Sequence, residues 1–168
     1  MQVQFLRAKD KEDVLSVVRD DGSTSWQHQH PGIPVHDLTH FAVESTLGLK
    51  DGFYGLLVQG WDISRLTDKD VRTTLPPEGM WTELVVGLIQ SERLSPQPLS
   101  APEFNAMLAR SCEEFGITIE RHVTQAELSR IRTTFADLHS QWNALAPGER
   151  LSLEFGQEVR LFPDIPGQ

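Results

Sequence analysis

The sequence predicts an α+β domain spanning residues 1–168. It should carry an antiparallel sheet built from N- and C-terminal strands, with about five helices packed mainly on one face. Three observations carry that expectation. Apolar residues alternate with polar ones near both chain ends, as in Val3 and Phe5 and again in Leu151, Leu153 and Phe155. Between these ends, apolar residues recur at helical spacing and are bracketed by start and stop signals. The length of 168 residues suits one domain, since domains typically run to ~100–200 residues.

The elements follow in order. Val3 and Phe5 mark a first strand. Val14 to Val18 and Thr24 to His28 flank Asp20-Asp21-Gly22-Ser23, whose Asp-Gly pair tolerates the positive φ of a hairpin turn. Period 2 places Trp26, His28 and His30 on one face of the second hairpin strand. Pro31 to Pro34 breaks the strand, and a helix should run from about Val35 to Leu47 with Gly48 as its stop. Asp51 can cap a helix from Phe53 to Gln59, Thr67 to Thr73 reads as a short helix, and Met80 to Leu94 as a longer one. Ser100-Ala101-Pro102-Glu103 and Thr124-Gln125-Ala126-Glu127 are capping boxes. The first opens a helix ending at Phe115-Gly116, with Cys112 in core register with Phe104, Leu108 and Phe115. The second opens a helix whose stripe is Leu128, Ile131, Phe135, Leu138, Trp142 and Leu145. Ile117-Thr118-Ile119 reads as a short strand, and Val159 to Phe162 as a partner for Leu151 to Phe155.

Composition narrows the function. Lys and Arg number 15 against 24 Asp and Glu, a formal charge of −9. That balance argues against nucleic acid, whose phosphates need clustered cations, and against an anionic membrane surface. No apolar run nears the ~20 residues of a membrane-spanning helix, and the N-terminus lacks a signal-peptide pattern. Cys112 stands alone, so no internal disulfide forms and a cytoplasmic location is expected.

The stretch that carries chemistry is His36-Asp37-Leu38-Thr39-His40-Phe41-Ala42-Val43-Glu44. His36 and His40 are i, i+4 on the expected helix, so both imidazoles share a face, the spacing at which two histidines grip one metal ion. Leu38, Phe41, Ala42, Val43 and Leu47 spread around nearly the whole helix, which predicts burial. Buried ionisable groups need partners, and a metal would accept both histidines as neutral ligands. Glu44 continues the same side, but His36 and Glu44 lie about 12 Å apart along a straight helix. The third ligand is expected to be Glu44 or, with less strain, His28 or His30 from the strand end, with His122, His139 or Glu83 as further options. A structural reading also fits. His40 and Glu44 can bond to each other, Asp37 suits the helix N-terminus, and Glu83 can face solvent.

Two local resemblances accompany these residues. His36-Asp37-x-x-His40 resembles the zincin pattern H-E-x-x-H, which implies His36 and His40 as ligands and Asp37 as the carboxylate that polarises a water. It is also similar to the H-D-x-x-H part of a zinc-ligand motif in a ubiquinone-biosynthesis family, although the glutamate that completes that motif is replaced here by Gly52.

The sequence thus points to a small metal-binding protein holding zinc or another divalent transition metal through His36, His40 and one of Glu44, His28 or His30. An open coordination position, with Asp37 or Glu44 as the catalytic carboxylate, would make it a metal-dependent hydrolase. The alternative is a non-enzymatic interaction module with a satisfied histidine–carboxylate network, supporting a homodimer or binding a basic partner. A small-molecule pocket beside His36 and Tyr54 is the third reading.

Overall fold

A computed structural model of the protein describes residues 1–156, apart from 10, 11, 73, 94 and 96. The strand expected over Val159 to Phe162 lies outside the described residues. Four strands, β1 (Gln2–Leu6), β2 (Asp13–Val18), β3 (Thr24–Gln29) and β4 (Arg150–Glu154), form one antiparallel sheet in the order β3-β2-β1-β4. Both chain ends therefore supply strands, as the alternation predicts. Register matches Val3 with Val17 and Leu153, and Phe5 with Leu15 and Leu151, so these apolar residues share the buried face. The turn between β2 and β3 uses Gly22 at φ 83°, a conformation open to glycine at little cost.

The helices are α1 (Ile33–Leu47), α2 (Phe53–Val58), α3 (Ile63–Leu66), α4 (Lys69–Arg72), α5 (Pro77–Glu92), α6 (Ala101–Phe115) and α7 (Gln125–Ala144). The short helix expected within Thr67 to Thr73 is the one-turn α4, and a further one-turn helix, α3, precedes it where none was expected. α1 lies between α5 and α7, which explains its nearly all-round apolar surface. Phe41 of α1 meets Tyr54 and Phe155 edge-on, with centroids 5.5 and 5.8 Å away. Such aromatic pairs add about 0.5–1.5 kcal/mol each beyond the area they bury.

Both capping boxes form. The Ser100 N–H donates to Glu103 Oε2 at 2.9 Å, and the Thr124 N–H to Glu127 Oε2 at 2.8 Å. The α7 stripe is buried from Leu128 to Trp142. Arg132 ties α7 to the end of α5 through two bonds to Glu92, Nε to Oε2 at 2.9 Å and Nη2 to Oε1 at 2.6 Å. Such a fork holds orientation better than a point charge. Cys112 packs with Phe104 and Leu108 as expected, but Phe115 is turned out, 59% exposed at the helix end. Ile117 to Ile119 is not in a sheet. Among the described residues, no helix is long and apolar enough to cross a membrane.

Candidate metal centre

α1 enters through Pro34 in its first turn and closes on Gly48 at φ 64°. That frame sets His36, His40 and Glu44 on successive turns of one side. The His36 and His40 rings stand 4.7 Å apart between centroids, tilted by 48°. Glu83 arrives from α5, its Oε1 3.5 Å from His40 Nε2. One donor atom from each of His36, His40 and Glu83 lies within 4.8 Å of the others. Two ligands bound to one zinc at ~2.0–2.2 Å in a tetrahedron sit roughly 3.4 Å apart. The His40–Glu83 separation already suits a shared ion. Rotation of the more exposed side chains, His36 at 33% and Glu83 at 37%, would close the rest.

Both imidazoles are backed by carboxylates. His40 Nδ1 donates to Glu44 Oε1 at 3.0 Å, and Nε2 faces Glu83. His36 Nδ1 stands 3.3 Å from Asp37 Oδ1. A histidine that ligates metal through one nitrogen characteristically gives the other to a carboxylate or carbonyl, which fixes its tautomer and raises its basicity. Asp37 is itself held by the side-chain amide of Gln29, a buried residue on the inner face of β3. Gln29 Oε1 has no partner among the described residues.

Glu44 is fully buried, and both of its oxygens are engaged. Oε2 accepts the backbone N–H groups of Tyr54 at 2.9 Å and Gly55 at 3.2 Å. Glu44, not Asp51, therefore satisfies the free amides at the start of α2. The expected Asp51 cap is absent because Gly52 takes the N-cap position, and Asp51 instead accepts a bond from Gln59. A Cβ added at Gly52 would stand 2.5 Å from the Glu44 carboxyl carbon. Where the ubiquinone-biosynthesis motif has its glutamate, this chain thus sets a carboxylate from α1 against a bare glycine.

Electrostatics follow from this geometry. Burial opposes a charge on His40, but hydrogen bonds to Glu44 and Glu83, together with their negative charges, outweigh it and raise the imidazole pKa to about 10. Burial pushes the Glu44 carboxyl above its ordinary value, against the pull of His40 and the two amides. Burial, reinforced by the charges of Asp37 and Glu44, likewise lifts the Tyr54 phenol, whose hydroxyl donates to the Asp37 carbonyl at 3.2 Å.

The structure brings together two of the residues singled out in the sequence, His36 and His40, with Glu83 as the third donor. Glu44 and Asp37 stand behind the histidines, each on an Nδ1. His28 and His30 lie elsewhere. β3 turns His28 to the solvent face beside Trp26, and His30 is exposed and paired with Glu12. The physical reason is the two-residue period of a strand: Gln29 points inward, so its neighbours cannot. His122 is exposed beyond α6, and His139 stacks on Phe135 of α7, 5.6 Å between centroids. Glu83 had one legible signal, a carboxylate within the apolar run Met80 to Val86, but only the packing of α5 on α1 directs it to His40. No family model, curated protein or solved structure matches the chain.

Proposed function

We propose that this chain is a metal-binding protein whose centre is formed by His36, His40 and Glu83. The observation that carries the reading is the convergence of two carboxylate-backed imidazoles and a third carboxylate on one point. Two imidazoles and one carboxylate suit zinc first, and other divalent transition metals such as iron or nickel as well. His40 forms the buried floor, while His36 and Glu83 open to solvent and leave an approach for a further ligand. When bound, a zinc ion supplies Lewis acidity suited to hydrolysis. Asp37 and Glu44 act as orienting groups, since each is already committed to an imidazole and to a second donor. The lone Cys112 accords with work in a reducing compartment such as the cytoplasm.

The buried His40–Glu44 bond, with its bridge to α2, also favours a second reading, a non-enzymatic module in which the same network is purely structural. Elemental analysis separates the two. Untagged protein grown in metal-supplemented medium is expected to carry close to one metal ion per chain. His36→Ala and Glu83→Gln should lose it while keeping the circular dichroism and thermal unfolding of the parent. Metal-free parent protein, unable to take up zinc in a calorimetric titration, would leave the structural reading standing.

A further inference from the structure

Between α6 and α7 the chain alternates as a strand does, without a strand beside it. Ile117, Ile119 and Arg121 are partly buried, whereas Thr118, Glu120 and His122 are exposed. The segment is pinned at both ends. The Ile117 N–H donates to the Cys112 carbonyl at 2.8 Å, and Asn105 grips both the N–H and the carbonyl of Val123 at 2.8 Å each. Between these anchors, no backbone group of residues 118–122 has a protein hydrogen-bond partner among the described residues. A fixed, extended edge of this kind is a ready template for another strand.

That edge forms one wall of a groove of about 880 Å³ whose other wall is α6. The buried residues Trp81, Leu108 and Cys112 lie at its apolar base. Arg121 is already engaged, its guanidinium 5.6 Å from the Trp81 ring centroid and bonded to the Leu47 carbonyl at 2.7 Å. Glu113 and Glu120, exposed at the rim, are the charges left to face an incoming chain. The excess of acids over the whole chain, −9, acts in the same sense.

We propose that this groove docks an extended, cationic segment of another protein. The segment would pair its backbone with residues 118–122, set alternate apolar side chains against Trp81 and Leu108, and place its cations beside Glu113 and Glu120. Strand addition of this kind draws affinity from main-chain bonds and specificity from alternate side chains. The inference is independent of the metal centre.

The test uses the full chain and a short fluorescein-labelled peptide of alternating Lys and Val, read by fluorescence anisotropy. Saturable binding is expected. N-methylating alternate peptide amides, in one of the two phases, should weaken it by at least about tenfold. Glu120→Lys should weaken it by several-fold, and an alternating Glu and Val peptide should not bind. The variant's thermal unfolding is checked against the parent, and Glu113→Lys provides a second charge reversal should the first fail to fold. Failure of the Lys and Val peptide to bind, or binding indifferent to N-methylation in both phases, would overturn the proposal. So would equal binding of the acidic peptide. Sedimentation showing a dimer that Ile119→Pro dissociates would also overturn it, by assigning the groove to a second copy.

Discussion

Glu44→Gln changes almost no volume yet is expected to strip the proton from His40 Nδ1. Tyr54 and Gly55 each present an N–H to Oε2, at 2.9 and 3.2 Å. Leaving both without an acceptor in a buried site would cost about 1–3 kcal/mol apiece. The glutamine carbonyl oxygen should therefore stay on α2, and its NH₂ must then face His40 Nδ1. That nitrogen must then accept, so the imidazolium loses its Nδ1 proton and becomes a neutral ring protonated only on Nε2, the atom 3.5 Å from Glu83. Replacing a charge-assisted bond by a neutral one should lower stability by about 1–2 kcal/mol. Metal affinity should fall about 10- to 100-fold, the usual effect of losing a carboxylate behind a ligating histidine. Nitrogen-15 spectra of the imidazoles read the site of protonation, and calorimetric titration with zinc reads the affinity. A variant that still carries the His40 proton on Nδ1 and binds zinc as tightly as the parent would refute the reasoning.

Other outcomes follow from the same geometry. His36→Ala and Glu83→Gln, at partly exposed positions, should change stability by no more than about 1 kcal/mol in urea unfolding while abolishing stoichiometric metal. In metal-free protein the raised His40 pKa stabilises the fold fully below pH 6.5, and that contribution is lost as pH rises through about 10; urea midpoints should fall across this window, and His40→Gln should flatten the fall. Zinc affinity should rise with pH over the same range, with proton release visible in buffers of different ionisation enthalpy, because the ion must displace the His40 proton. Gly52→Ala would drive a methyl to 2.5 Å from the Glu44 carboxyl carbon, so a loss of about 1–3 kcal/mol in thermal unfolding, together with weaker metal binding, is expected.

Local chemistry made much of this protein legible. The alternation of Val3, Phe5, Leu151 and Leu153 defined the buried face of the sheet, because side chains on a strand repeat every two residues. The boxes at Ser100 and Thr124 opened their helices because unsatisfied first-turn amides need nearby acceptors. The apolar girth of α1 likewise announced burial before any neighbour was known, and the i, i+4 spacing of His36 and His40 fixed their common side.

Tertiary structure decided what those residues meet. Glu44 sits on the same side as His36 and His40, yet α2 folds back onto it, and two backbone amides hold its second oxygen away from His36 and Glu83. Glu83 takes the third position because α5 packs along α1, a contact between segments some forty residues apart that no local pattern encodes. Residues 117–119 have the alternation of a strand, but a strand needs a partner edge, and the described fold supplies none. Sequence spacing determines which side chains share a face; the three-dimensional packing of distant segments determines which donor faces which acceptor.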